Sequence, residues 1–160
     1  MDRDYFYIAL YSNASQEIYP DKKISAFTIQ LAQPIKFDLS EVWEVGLWEL
    51  YYPATELALN TGPLEDVEDN SHALVHCDLI VPQCIGASMV RYLRTFDIMP
   101  ANYAGEFLYE NLYYVPVEKR TFRDIRIEIL NLSGEQIAFS DSKTALKADL
   151  HFRRVVTHDI

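Results

Sequence analysis

The alternation of apolar and polar residues along the chain predicts β-strands rather than helices. Residues 5–12 place apolar side chains on one parity and a row of tyrosines on the other, namely Phe6, Ile8 and Leu10 against Tyr5, Tyr7 and Tyr11. Successive side chains of a strand point to opposite faces of a sheet. This segment is therefore predicted to be a strand with a core face and a tyrosine-lined outer face.

The most apolar and aromatic segment of the chain is 43–53, which ends at Pro53. Its bulky residues change parity midway, from Trp43, Val45 and Leu47 to Trp48, Leu50 and Tyr52. A regular strand would keep one parity throughout. The change indicates either a β-bulge near 46–48 or a strand that is covered on both faces. Both interpretations place this strand in the interior of a sheet.

Six further segments are predicted to be strands, at 24–31, 75–81, 89–96, 107–115, 125–129 and 146–153. Gln33-Pro34 is expected to end the second of the eight strands. Short strands between turn residues, without a convincing helix or repeat, indicate a sandwich or barrel. We predict one domain over residues 1–160, an all-β, single eight-stranded antiparallel jelly-roll sandwich of two four-stranded sheets. Its first and last strands are expected to be neighbours and to flank strand 43–53.

Composition and charge narrow the function of this domain. Of 160 residues 49% are apolar, which suits a globular core, and the formal net charge is −10. Such acidity argues against direct contact with nucleic acid, and no apolar run is long enough for membrane insertion. Cys77 and Cys84 would lie roughly 20 Å apart in an extended segment, too far for a disulfide. Without a signal core, both are predicted to be reduced, structural thiols of a protein that is not secreted.

The sequence offers little that points to catalysis, and no cofactor is predicted. It lacks a Gly-x-Ser-x-Gly, a glycine-rich phosphate loop and a Cys-x-x-Cys motif. His72 and His76 would share one strand face and could hold a metal with Cys77 or His151, but surface or partly buried histidines are the favoured explanation. The acidic run 65–70 could hold Ca²⁺, but it lacks the turn glycine and closing glutamate of an EF-hand loop, which favours a solvated loop.

Exposed aromatic and basic residues are the better candidates for function, because outer aromatics in a soluble protein favour a contact surface. The two arginines near the end of the chain could be anchors for an acidic neighbouring subunit or solvated ends. The predicted oligomer interface consists of Tyr5, Tyr7, Tyr11, Glu65, Asp66, Arg153 and Arg154.

Several short motifs follow one another along the chain in a characteristic order. They are Phe6-Tyr7, Tyr19-Pro20-Asp21, the 43–53 segment, Asn111-Leu112-Tyr113-Tyr114-Val115-Pro116-Val117, the 125–129 alternation and the closing Leu150-His151-Phe152-Arg153-Arg154. In their order and spacing these motifs resemble the minor capsid (penton) proteins of Polinton/Maverick elements and related adintovirus-like viruses. The resemblance extends over nearly the whole chain.

This resemblance implies a structural protein of the virion, a jelly roll that forms a homopentamer at the five-fold vertices of an icosahedral capsid. Double-jelly-roll major capsid proteins would surround it, and the vertex could contact a host receptor or carry a fibre. Assembly would take place inside the host cell, in the cytoplasm or the nucleus. A ring of five copies requires a head-to-tail interface. The residues alone leave open a carbohydrate- or receptor-binding jelly-roll module and a metal-dependent cupin-like enzyme.

Overall fold

A computed structural model describes residues 3–54, 72–98, 103–139 and 144–156. This part of the chain contains no helix and eleven strands: β1 (Tyr5–Tyr11), β2 (Ala26–Lys36), β3 (Trp43–Tyr52), β4 (His72–Cys77), β5 (Gln83–Ile85), β6 (Ser88–Val90), β7 (Tyr92–Asp97), β8 (Gly105–Leu108), β9 (Val115–Pro116), β10 (Thr121–Asn131) and β11 (Lys147–Arg154). None of the described residues forms a helix that is long and apolar enough to cross a membrane.

Two antiparallel sheets make up the body of the fold. The five-stranded sheet has the order β1-β11-β3-β8, and β9 also pairs with β3. The four-stranded sheet has the order β2-β10-β4-β7, and β5 and β6 form a separate hairpin. This confirms the predicted all-β, antiparallel architecture. The first and last strands are neighbours as predicted, but β11 lies between β1 and β3, so the prediction that both flank the third strand is wrong.

The predicted change of parity in β3 is a β-bulge. Its register against β11 shifts between Asp149 and Leu150, which pair with Glu49 and Leu47 and leave Trp48 as the extra residue. The buried side chains are accordingly Trp43, Val45 and Leu47 before the bulge and Leu50 and Tyr52 after it. The parity alone grouped Trp48 with the inward-facing Leu50 and Tyr52. In the structure Trp48 is instead half-buried on the outer face of the sheet.

Aromatic side chains fill the space between the two sheets at both ends. Near the start of β3, the Trp43 and Phe37 rings stack with centroids 4.7 Å apart. At its far end, the buried Tyr52 ring contacts Phe96 of β7 and Phe107 of β8. Each fully buried aliphatic or aromatic side chain contributes roughly 1.5–3 kcal/mol of transfer free energy. The core therefore holds the two sheets together along the whole length of β3.

Several strand boundaries differ from the prediction. β2 continues through Pro34, because the register against β10 jumps there and a proline at a bulge removes no ladder hydrogen bond. β4 ends at Cys77, and the segment 89–96 is split into β6 and β7 at Arg91. The segment 107–115 is not one strand, since β8 ends at Leu108 and β9 begins at Val115.

The hairpin of β5 and β6 escaped the sequence analysis. Its strands have three residues each, too few for a pattern of alternation to emerge. Gly86 sits in the turn with φ of 57°, a left-handed conformation that favours glycine. The two cysteines are free, Cys77 buried in the core and Cys84 exposed on β5, so the second is not a core thiol.

Candidate functional site

The outer face of the five-stranded sheet presents a row of tyrosines. Alternation along β1 turns Phe6, Ile8 and Leu10 toward the core and leaves the intervening side chains outside. Tyr5, Tyr7 and Tyr11 are 58%, 59% and 44% exposed, so the predicted outer tyrosines do lie on one accessible surface. We call this surface the tyrosine face, defined by Tyr5, Tyr7, Tyr11, Trp48, Tyr114 and His151.

The aromatic rings of the tyrosine face contact one another, which restricts their orientations. Tyr7 stacks on His151 with centroids 4.6 Å apart and meets the Trp48 ring edge-on at 5.8 Å. The Tyr114 hydroxyl lies 2.6 Å from His151 Nδ1. Burial, together with the nearby Arg153 charge, lowers the pKa of His151 and so favours the neutral ring. The surface is therefore preorganised, which reduces the side-chain entropy that a contact would cost.

The two predicted arginines are already paired within the chain. Arg153 forms an ion pair with Glu44, and its guanidinium lies 3.4 Å from the centroid of the Tyr114 ring. Arg154 forms ion pairs with Asp4 and Glu41. Asp4 in particular raises the pKa of Arg154. These contacts join β11 to both of its neighbouring segments, so an acidic subunit would have to compete with them.

A cluster of two carboxylates and a lysine next to the tyrosine face could not be read from the sequence. Asp149 is only 5% exposed and pairs directly across the sheet with Glu49. The Lys147 ammonium lies 3.1 Å from Asp149 Oδ2 and 3.6 Å from Glu49 Oε2. Burial raises the pKa of Asp149 despite the lysine. The sequence places these residues on outer positions, but only the strand register brings them together.

The predicted metal ligands are distributed over different surfaces. His72 Nδ1 lies 2.6 Å from Asp97 Oδ1, and His76 shares the outer face of β4 with it. Cys77 points into the core instead, where burial raises its pKa to about 12, and His151 belongs to the other sheet. No cluster of three metal-binding side chains occurs among the residues that the structure describes. The acidic run, with Glu65 and Asp66, lies outside those residues.

A groove of about 420 Å³ runs between the edges of the two sheets, beside β7 and β8. Arg94 of β7 crosses it, with its guanidinium 3.8 Å from the Tyr109 ring centroid and 4.4 Å from that of Tyr113. Its Nη1 donates to the Asn111 carbonyl at 2.8 Å. Burial raises the pKa of Tyr109 to about 12. Arg94 thus links β7 to the irregular segment between β8 and β9, a role that no pattern in the sequence indicated.

Comparisons with known proteins bear on the fold. No protein-family model and no curated protein matches the sequence. The structure is similar to the crystal structure of the penton protein of mavirus, a virophage related to Maverick/Polinton elements, with a TM-score of 0.61. The similarity covers 94% of this chain and 100% of that chain, at 9% sequence identity. The resemblance to Maverick-type penton proteins that the motifs predicted is thereby confirmed at the level of the fold.

Proposed function

We propose that this chain is a structural capsid protein, the penton that occupies the five-fold vertex of an icosahedral virion. The observation that carries the proposal is the agreement in fold with the mavirus penton protein over 100% of that chain. The motif order of the sequence supports the same function independently. In this role the protein acts through its surfaces and not through catalysis, which fits the scattered positions of its histidines.

The strand order supports a jelly roll in the strict sense. Eight of the strands, β1, β2, β3, β4, β7, β8, β10 and β11, divide into two groups of four, and the first and last strands are adjacent. We infer that β5, β6 and β9 are additions to this frame. The free edges of the frame are β1 and β8 in one sheet and β2 and β7 in the other.

The proposed oligomer is a homopentamer with a head-to-tail interface to which the tyrosine face contributes. A ring of five copies cannot use one self-complementary patch, because each protomer contacts two neighbours through different surfaces. Tyr5, Tyr7 and Tyr11 are the residues of choice for one of these surfaces, since tyrosine is enriched at interfaces and binds at low entropic cost. Arg153 and Arg154, together with Glu65 and Asp66, remain predicted members of it.

The proposed partners are those of a vertex protein. A double-jelly-roll major capsid protein would surround the pentamer, and the outward loops would be available to a host receptor or a fibre. With a net charge of −10, the protein is suited to a shell position away from the genome. Its location would be the virion, after assembly in the cytoplasm or nucleus of the host cell.

The native mass of the protein in solution tests the proposed pentamer most directly. Size-exclusion chromatography with light scattering, over a series of protein concentrations, should give five times the 18.6 kDa chain mass at high concentration. The sample should be mixed in parallel with the major capsid protein, since ring closure could require the surrounding shell. A monomer at high concentration that also fails to assemble with that partner would contradict the proposal.

A second candidate function is a carbohydrate- or receptor-binding module. The ordered rings of Tyr7, Trp48 and His151 favour it, because flat aromatic surfaces are suited to stacking on a sugar ring. A glycan array probed with and without Ca²⁺ distinguishes the two functions. Glycan binding that is lost in Tyr7→Ala, by a chain that stays monomeric, would favour the binding module over the penton.

A further inference from the structure

The outermost strands of the two sheets differ in how their free edges are protected. Natural sheets protect an edge with a short strand, a bulge, a proline or a covering segment. β2 has Pro34 at a shift in register, and the segment before β2 covers its edge, where the Gln30 N–H donates to Ser15 Oγ at 3.0 Å. β7 contains a bulge, and Gln83 Nε2 donates to its Tyr92 carbonyl. β8 is short, with four residues.

β1 has a longer and more regular free edge than these three strands. It runs over seven residues, without a proline and in unbroken register with β11. The Ser12 N–H, just after β1, donates to the Leu146 carbonyl, so the even-numbered residues direct their backbone groups at β11. The odd-numbered residues direct theirs to the free edge. In the part of the chain that the structure describes, only the Tyr11 carbonyl has a backbone partner there, the Ala14 N–H.

The space between the two sheets is also incompletely closed along β1. Phe6 and Ile8 point toward the core but are only half-buried, whereas Leu10 of the same strand is completely buried. A further strand with an inward apolar side chain would cover Phe6 and Ile8, and burial of apolar surface favours association. The edge of β1 therefore offers both backbone groups and apolar surface to an added strand.

β8 of a second copy is a complementary strand. The Tyr109 N–H, just after β8, donates to the Trp48 carbonyl, so the alternation leaves the backbone groups of Glu106 and Leu108 at the free edge. No partner for these groups occurs among the described residues. Phe107 packs against the core but is only half-buried, and Leu108 is 64% exposed. β8 thus also has free backbone groups and incompletely buried apolar side chains.

The directions of the strands make the two edges compatible. Each neighbouring pair in the order β1-β11-β3-β8 is antiparallel, so β8 runs opposite to β1. Rotation of a copy about an axis along the strands preserves this direction, and its β8 would meet β1 as an antiparallel neighbour. Because β1 and β8 are different edges at opposite ends of one sheet, such a contact is head-to-tail, as a ring of identical copies requires.

We propose that β1 of one copy pairs with β8 of the next copy and extends the five-stranded sheet across the subunit boundary. This inference rests on the proposed homopentamer and identifies the strand edges that form its contact. On the outer face, Leu108 would lie beside the tyrosines of β1, in aromatic–aliphatic contacts of the kind that stabilise antiparallel pairs.

The variant Ala9→Pro tests the backbone pairing. The Ala9 N–H points to the free edge, so proline removes no hydrogen bond between β1 and β11, but it removes a donor to the added strand. Circular dichroism should show a folded chain. We expect light scattering to show an assembly midpoint at a protein concentration about tenfold or more above that of the wild type. Thr28→Pro, at an outward N–H of β2, is the matched control and should leave the midpoint unchanged.

Chemical cross-linking tests which strands meet. A Cys84→Ser background removes the exposed native thiol, while Cys77 is buried. In this background Ala9→Cys combined with Leu108→Cys should be joined by a short bifunctional thiol reagent into a ladder that ends at five chains. Ala9→Cys combined with Leu132→Cys, in the exposed turn after β10, is the control and should give no ladder.

The possible outcomes separate this contact from the pentamer itself. A wild-type pentamer without the ladder, whose assembly midpoint Ala9→Pro leaves unchanged, would overturn the contact and leave the proposed function standing. A wild-type chain that stays monomeric, alone and with the major capsid protein, would contradict both. A ladder that continues beyond five chains would support the contact and contradict the pentamer. If Ala9→Pro does not fold, the cross-linking result decides, and dimers from Ala9→Cys alone would overturn the proposal in favour of pairing between two β1 strands.

Discussion

At the scale of single residues, Gly105 packs directly against the ring of Tyr52. A Cβ atom added at Gly105 would lie 2.1 Å from Tyr52 Cζ and 2.2 Å from its Cε1, far inside van der Waals contact. Tyr52 is fully buried and cannot swing away. Gly105→Ala should therefore destabilise the chain by about 1–3 kcal/mol or more, the usual cost of overpacking. Urea unfolding, with an unchanged slope, would measure the loss.

Two substitutions of Tyr52 show whether its ring causes the destabilisation by Gly105→Ala. Tyr52→Phe keeps both clashing ring atoms, so Gly105→Ala should cost nearly as much there as in the wild type. Tyr52→Leu removes them, and the same glycine substitution should then cost much less, which appears as a coupling energy in a double-mutant cycle. Equal costs in both backgrounds would mean that the ring does not set the requirement for glycine at 105.

The raised pKa of the Asp149 carboxyl group should make the stability of the chain depend on pH. Its pKa in the folded chain is raised above the unfolded value of about 3.9, first by burial and further by Glu49. The native state then takes up a proton before the unfolded state does. Its contribution to stability consequently increases as pH falls through the folded pKa toward the unfolded value, and the penalty of the buried charge is fully present above that range.

The variant Asp149→Asn removes this titration. It should be more stable relative to the wild type at neutral pH than near pH 4, with the difference shrinking as the wild-type carboxyl is protonated. Melting temperatures of both chains across the pH range measure this, with Asp38→Asn, an exposed aspartate, as the control for loss of one charge. A difference that stays constant with pH would show that Asp149 is not the titrating group.

At the scale of the strands, the sequence of β3 was sufficient to predict that this strand contains a β-bulge or is covered on both faces. The shift of bulky residues from one parity to the other can be read without a structure, because a bulge is the way one strand keeps both halves of such a pattern in the core. The position of the bulge could not be read from β3 alone, because it is defined by the pairing with the neighbouring strand. Only the register of β11 shows that Trp48 is the extra residue and that it faces outward.

Other features of the strands could not be predicted from the sequence, and the physical reason differs from one feature to the next. β8 and β9 are joined by residues that make no ladder, and their place in the sheet is decided by pairing with β3 rather than by their own alternation. Pro34 ends a regular strand but is tolerated at a bulge, which the sequence does not reveal. The pairs Asp149–Glu49 and Tyr114–His151 join residues far apart in the chain, so strand order had to be known first.

Deletion of single residues in β3 tests the bulge. Removal of Trp48 joins Leu47 directly to Glu49 and leaves the inward side chains on both sides in register. Removal of Tyr51 instead moves the buried Tyr52 to the solvent face. We expect the chain without Trp48 to unfold cooperatively with reduced stability, and the chain without Tyr51 to lose cooperative unfolding. Guanidinium titrations followed by circular dichroism measure both, and the reverse order of stabilities would contradict this assignment.

At the scale of the whole molecule, the two sheets have different outer surfaces. The five-stranded sheet carries the tyrosine face, and the four-stranded sheet carries histidines on β4 and arginines on β7 and β10. A head-to-tail ring requires two different surfaces on each protomer, because each interface joins one kind to the other, and the two sheets supply unlike surfaces. This asymmetry connects the proposed pentamer to the fold itself, since the alternation along β1 generates the first of the two surfaces.

The proposed contribution of the tyrosine face to pentamer assembly can be tested by removing its central ring. Tyr7→Ser takes away the ring that contacts both His151 and Trp48, and an aromatic anchor of this kind contributes about 2 kcal/mol at each interface. The midpoint of pentamer assembly should therefore move to a protein concentration more than about tenfold higher. Tyr113→Ser is the matched control, since Tyr113 is 65% exposed but packs on Arg94 of β7. Light scattering over a concentration series, with circular dichroism to verify folding, decides the outcome. Equal assembly midpoints for the wild type and Tyr7→Ser would assign the five-fold contact to another surface.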